Sequence, residues 1–339
     1  MASIAMEPVM LVDGGFSTQL SLYVGNCVDG DPLWSAKFLE TNKQACIQAH
    51  RDFIRAGADI IITNTYQASI EGFKDYLNLD KEESIELIKE SVEFVKKAIA
   101  LELGDDSYGD QRRVLIAGSV GPYGAGLHDG SEYRGEYVET TSPDTMIAWH
   151  TPRIEALLEA GVDLLAIETI PALAEAEVLL NLLKKYPKAK AWLSFSCKDD
   201  EHTSHGERIC DAAARCWSVN SNQLVAVGVN CLHPSYVTPL LKSIHKKLPK
   251  IPLIAYPNSG ERYNAQIGRW ENKDNCVPVV NYIRSWLELG VQFIGGCCRT
   301  DAEDIRKFRK HIDYWIQHEK KPIRPCSIDD RICCADLKL

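Results

Sequence analysis

Short apolar runs rich in β-branched residues alternate along the chain with longer stretches whose apolar residues recur every three or four positions. Residues 9–15 (VMLVDGG) lead into a helical pattern over 33–56, and residues 59–65 (DIIITNT) into one over 81–103. Residues 113–120 (RVLIAGSV) precede a helix over 142–160, and residues 162–169 (VDLLAIET) precede PALAEAEVLLNLLKKY. The runs at 189–196 (AKAWLSFS), 224–230 (LVAVGVN), 251–257 (IPLIAYP) and 291–296 (VQFIGG) each feed a further amphipathic stretch. Eight strand-then-helix units in about 310 residues are the count and size of an α/β fold of the (β/α)8 TIM-barrel type. A single barrel domain is expected over residues 1–320.

Three segments, RAGADIII, EAGVDLLAIE and ELGVQFIGG, repeat one design: a helix end, a glycine, a small or β-branched residue, then a buried strand. Gly57, Gly161 and Gly290 are therefore expected in the left-handed conformation that stops a helix. A doubly wound open sheet is the competing architecture. It carries a glycine-rich phosphate turn after its first strand, and DGGFSTQL does not match G-x-G-x-x-G. The final stretch, KKPIRPCSIDDRICCADLKL, has two prolines and no helical period, so residues 321–339 are expected to be a tail in which Cys326, Cys333 and Cys334 do no chemistry.

Composition narrows the partners. The chain has 339 residues, 45% hydrophobic and 25% charged, which is ordinary for a globular domain with a full core. The net charge of -9 comes from interspersed charges, without the basic patch that a nucleic-acid surface needs, so small molecules are the expected partners. No run approaches the roughly 18 apolar residues of a membrane span, and MASIAMEPVMLVDGG lacks the basic and apolar regions of a signal peptide; a cytoplasmic protein is expected. In that setting the twelve cysteines read as reduced thiols, most of them small core residues.

Barrels of this type do their chemistry at the carboxyl ends of the strands, which gives polar residues there extra weight. Strand one ends in Asp13, strand two in Thr63, Asn64 and Thr65, strand four in Glu168, strand six in Asn230 and Cys231, strand seven in Tyr256 and Asn258, and strand eight in Cys297 and Cys298. Three thiols from two strands thus meet at one mouth. Zinc takes thiolates in tetrahedral array, and three ligands leave one position for substrate. Adjacent strand residues point to opposite faces, so Cys297 and Cys298 can share an ion only if the chain turns directly after them; Gly295 and Gly296 are expected to supply that freedom. The competing readings are core cysteines that happen to end strands, or a vicinal redox pair. Cys197, His202 and His205 lie in or beside the polar stretch CKDDEHTSHGER and are expected to be non-ligands.

The segments VDGGFSTQL, DPLWSAKFL, ADIIITNTYQAS, AGSVGPYGA, AIETIP, GVNC and GGCC resemble, in that order, the motifs of the homocysteine S-methyltransferases, over about residues 8–315. The resemblance implies a (β/α)8 barrel with zinc on Cys231, Cys297 and Cys298. It also implies that Glu168 receives the α-ammonium of homocysteine with Asp13 at the same end, that Thr63, Asn64 and Asn230 complete the lining, and that Gly14 and Gly15 allow close approach of the backbone. Zinc would hold the acceptor sulfur as a thiolate, which a free thiol with a pKa near about 8.5 is not at neutral pH. Donors in the family are betaine, methyl-folate through cobalamin, or a sulfonium. DPLWSAKFL and the lack of a long C-terminal extension resemble the members that use S-methylmethionine or S-adenosylmethionine, with Trp34, Tyr66 and Tyr123 expected to face the donor cation. A monomer is expected. The alternative is a zinc-binding or redox-sensing barrel without methyltransferase activity, and selenohomocysteine or a related thiol stays open as acceptor.

Overall fold

In the computed structural model, which describes residues 9–25, 27–104, 112–264 and 269–318, the apolar runs become eight parallel strands wound into one barrel. They are β1 (Met10–Leu11), β2 (Ile60–Ile62), β3 (Leu115–Val120), β4 (Leu164–Ile170), β5 (Ala191–Phe195), β6 (Leu224–Asn230), β7 (Leu253–Tyr256) and β10 (Phe293–Ile294). Between the last two, β8 (Arg262–Asn264) and β9 (Arg269–Glu271) form a separate antiparallel hairpin. Hydrogen-bonded order runs β1-β10-β7-β6-β5-β4-β3-β2, and a parallel bridge between Val12 and Ile60 closes the ring. The expected barrel is therefore the observed one.

The helices form the outer layer: α1 (Phe16–Val24), α2 (Phe38–Thr41), α3 (Lys43–Ala56), α4 (Ile70–Leu77), α5 (Lys81–Leu103), α6 (Pro143–Glu159), α7 (Leu173–Leu183), α8 (Ile209–Asn220), α9 (Pro234–Lys247), α10 (Val280–Glu288) and α11 (Ala302–His318). The helix expected over 33–56 is not continuous. A 3-10 turn (Trp34–Lys37) and α2 come first, and Asn42, at φ -154°, leaves helical geometry and accepts from the Ala45 N–H at 3.1 Å, starting α3 afresh. The short α1 and α4 and the hairpin add to the expected plan. Among the described residues no helix is long and apolar enough to cross a membrane, and the expected tail lies outside them.

The repeated glycine segments do what their sequence implies. Gly57, Gly161 and Gly290 have φ of 105°, 84° and 84°. Two residues after the first two glycines stands an aspartate that holds the neighbouring strand: Asp59 accepts from the Leu11 N–H and Asp163 from the Ile116 N–H, both at 2.8 Å. At the third repeat the residue is Gln292, whose buried Oε1 has no partner.

Two apolar layers result. One fills the space between strands and helices and includes Phe53, Phe73, Phe195, Trp286 and Phe308. The other lies inside the barrel, with Val12, Ile60, Leu164, Trp192, Ile254 and Tyr256, and Cys297 packs against its edge. Side chains thus plug the barrel, leaving polar residues to collect at the carboxyl ends of the strands.

Candidate metal centre

Cys231 is the first residue after β6, at φ 51°, with its N–H on the Tyr256 carbonyl at 3.1 Å. Cys297 and Cys298 follow β10; the Cys297 N–H reaches the Pro257 carbonyl at 2.8 Å, and the Cys298 carbonyl accepts from Ser259 N–H at 3.0 Å. Both strand exits are thereby fastened to the chain leaving β7. The three sulfurs lie within 4.8 Å of one another, with Cys231 Sγ and Cys298 Sγ 3.6 Å apart, and all three cysteines are free thiols. Bonds of about 2.3 Å to a tetrahedral ion space thiolates about 3.8 Å apart, so the triad fits a thiolate-bound metal. Hydrogen bonds from Cys297 and Cys298 hold Cys231 well below the usual thiol range, while they themselves are pushed above it. Protons thus crowd a cluster that a cation would relieve.

The turn that brings Cys297 and Cys298 together is not made by the glycines before them. Neither Gly295 nor Gly296 has a positive φ; the left-handed residue is Arg299, at φ 64°. The glycines are needed for space. A Cβ on Gly296 would stand 2.1 Å from Thr300 Oγ1, and one on Gly15 would stand 2.4 Å from the Cys297 carbonyl oxygen. Thr300 completes the knot by donating its hydroxyl to that carbonyl at 2.6 Å.

Two buried carboxylates flank the thiols. Asp13 Oδ2 accepts from the Ile62 N–H at 2.9 Å, but its Oδ1 is buried without a partner, and burial pushes the carboxyl well above its ordinary range with the Glu168 charge adding to the rise. Burial raises Glu168 to about 7, against hydrogen bonds from Ser119 and Tyr256 that favour its charged form. Tyr256 is itself fixed by Trp192 Nε1 at 2.9 Å and Ser194 Oγ at 2.6 Å. Thr63 accepts from the Ser119 N–H at 2.9 Å and shares a hydrogen bond with Thr65 at 2.7 Å, so it stands behind Ser119.

Asn64 and Asn230 are engaged within the protein. Asn64 exchanges hydrogen bonds with the Ser35 hydroxyl (2.6 Å) and carbonyl (2.8 Å). Asn230 Oδ1 accepts from the Thr169 N–H at 2.7 Å and Nδ2 donates to Thr169 Oγ1 at 2.8 Å, holding Thr169 at φ 59° directly after Glu168. A Cβ on Gly14 would meet Phe53 and the Thr300 carbonyl oxygen at 2.8 Å, so its close approach is to the protein's own chain. Tyr66 is half-buried, with a buried hydroxyl oxygen that has no hydrogen-bond partner, whereas Tyr123 packs on Trp149 and Tyr137, and Trp34 sits at φ 49° opening its 3-10 turn. His202 pairs with Asp199 and His205 with Glu207, each at 3.0 Å, and Cys197 is a buried core thiol. Cys326, Cys333 and Cys334 lie outside the described residues. Sequence reasoning missed Ser119, Glu132 and Tyr133, whose hydroxyl lies 3.1 Å from Cys231 Sγ. Ser119 was within reach as a strand-three residue; the other two come from a loop whose path no periodicity reveals.

Residues 10–312 match the family model described as homocysteine S-methyltransferase. The chain is 45% identical over 316 residues to a betaine-homocysteine S-methyltransferase of Drosophila melanogaster, covering 91% of this chain and 95% of that protein. It is 42% identical over 305 residues to a homocysteine S-methyltransferase of Escherichia coli K12, covering 90% and 95%. The metallated form of the Escherichia coli homocysteine methyltransferase MmuM superposes with a TM-score of 0.77 at 41% identity, covering 90% of this chain and 96% of that one.

Proposed function

Because the chain belongs to the homocysteine S-methyltransferase family, we propose that it moves a methyl group from a sulfonium donor, S-methylmethionine or S-adenosylmethionine, to the thiol of homocysteine, with zinc held by Cys231, Cys297 and Cys298. The observation that carries this reading is the convergence of three free thiols within 4.8 Å beside two buried carboxylates. Zinc held by these three cysteines would supply the Lewis acidity that keeps an acceptor thiol deprotonated and nucleophilic at neutral pH.

The chain's own residues orient the acceptor. Asp13 Oδ1, buried and unpartnered, and Glu168 offer two carboxylates to one α-ammonium, whose charge returns each to its ionised form. Ser119 and Tyr256 keep the Glu168 carboxylate aimed, and Asn230 and Asn64 act one layer back, through Thr169 and Ser35. The acceptor sulfur attacks the donor methyl in line, and the donor's bonding pair stays on its own sulfur, so the donor leaves as a neutral thioether. No side chain needs to take or give a proton at the methyl carbon.

A donor panel assayed with homocysteine tests the reading. Methionine formed from S-methylmethionine or S-adenosylmethionine, lost on metal removal and restored by zinc, is the expected result. Turnover with betaine alone replaces the donor assignment, and full turnover in verified metal-free protein removes the metal from the mechanism.

A further inference from the structure

A third carboxylate near the thiols is not used by the acceptor. Glu132 belongs to the 3-10 turn Ser131–Tyr133 between β3 and α6, and its carbonyl is pinned by Ser196 Oγ at 3.2 Å. The hydroxyl of the next residue, Tyr133, is 3.1 Å from Cys231 Sγ, and the Cys231 charge bears on the Glu132 carboxyl itself. Glu132 Oε2 is buried and has no hydrogen-bond partner. Arg134, two residues on, makes its hydrogen bonds elsewhere, to Glu136 Oε2 at 3.4 Å and the Asp129 carbonyl at 3.3 Å, so its charge bears on Glu132 without a direct bond. Its charge bears on three phenols, Tyr66, Tyr133 and Tyr137, and the Tyr66 hydroxyl is likewise buried without a partner.

Resting on the proposed methyl transfer, we propose that Glu132 binds the positive charge of the methyl donor, with the rings of Tyr66 and Tyr133 against the onium centre and its methyl directed at the acceptor sulfur. A hard metal ion does not suit this place, because it requires several oxygen ligands at once and Glu132 is one carboxylate among phenols. Onium cations are weakly hydrated and are recognised by aromatic faces with a counter-charge. The assignment also has a consequence for turnover. As the methyl moves, the donor's sulfur–carbon bond breaks, its electron pair stays on sulfur, and the positive charge disappears. Glu132 then holds the spent donor more weakly than the fresh one.

The test compares wild type, Glu132→Gln and Glu136→Gln, the last on an exposed side chain of the same segment. Glu132→Gln is expected to raise the donor KM tenfold to a hundredfold and to weaken inhibition by tetramethylammonium to a similar degree. The homocysteine KM, metal content and inhibition by neutral tert-butanol should stay within about twofold, and Glu136→Gln should change none of these. A donor KM within about twofold of wild type, or equal weakening of the cationic and neutral inhibitors, overturns the assignment. So does loss of metal or of homocysteine affinity. If Glu132→Gln does not fold, Glu132→Asp takes its place, with a smaller rise confined to cationic ligands expected and a uniform one overturning. Wild-type protein inert toward homocysteine with every onium donor refutes methyl transfer itself, whereas active wild type with an unaltered variant refutes only the role of Glu132.

Discussion

Glu168 is where a single side chain can be questioned most directly. Burial holds its carboxyl near 7, so below that pH the free site carries a proton that the ammonium of homocysteine must displace. Affinity for homocysteine should therefore fall as pH drops below about 7, in addition to the dependence that comes from releasing the acceptor thiol's own proton, in a profile of homocysteine KM against pH. Glu168→Gln removes one of the protons to be displaced, so the dependence on pH near 7 should become shallower while the KM increases tenfold to a hundredfold, the loss of about 1.5–3 kcal/mol for a charge-assisted bond. Metal content should be unchanged; its loss would make Glu168 a support of the thiols. Asn230→Ala should cost stability, about 1–3 kcal/mol by urea unfolding, because Thr169 is left at φ 59° with its N–H unpaired. The strand-end carboxylates and thiols were legible in the sequence because a strand end has a fixed direction in a barrel. Glu132 and Tyr133 were not, because their place depends on how a long loop folds back across the mouth.

The turn after β10 is held by contact rather than by flexible backbone, and its prediction follows. Gly296→Ala puts a methyl 2.1 Å from Thr300 Oγ1, in a knot where Thr300 already grips the Cys297 carbonyl. About 1–3 kcal/mol of stability should be lost, with metal content falling in parallel, measured by unfolding and metal analysis on one preparation. Stability lost with full metal content would show that the turn and the thiols are independent. Here the sequence pointed to the right residues for the wrong reason: two glycines before two cysteines suggest a bend, whereas the missing Cβ atoms make room for Thr300 and Val12. The periodicity found the eight strands and most helices. It overran β1 and β10, which have only two paired residues each, because apolar runs record burial and not hydrogen bonding.

Across the whole molecule, a metal on the three thiols would be a fastening between distant units. Cys231 leaves the sixth barrel strand and Cys297 and Cys298 the eighth, with the seventh between them, so an ion there would link strands that are not hydrogen-bonded neighbours. Metal removal should lower the melting temperature, and Cys298→Ala should abolish the difference between metal-loaded and stripped protein while Cys27→Ala, on an exposed thiol, preserves it. With the ion at about a thousandfold its Kd the stabilisation is about 4 kcal/mol. The seam of the barrel has a consequence of another kind, in the making of the protein. The strand carrying Asp13 comes first from the ribosome, but β1 finds its partner β10 only when Phe293 and Ile294 arrive, and Gly15 waits equally long for the Thr300 carbonyl that its N–H meets at 2.8 Å. Two of the three thiols come out with that same last unit, so a nascent or prematurely ended chain would hold neither the finished strand-end site nor a thiol triad able to capture a metal, and loading with an ion would mark a chain read through to its final barrel strand.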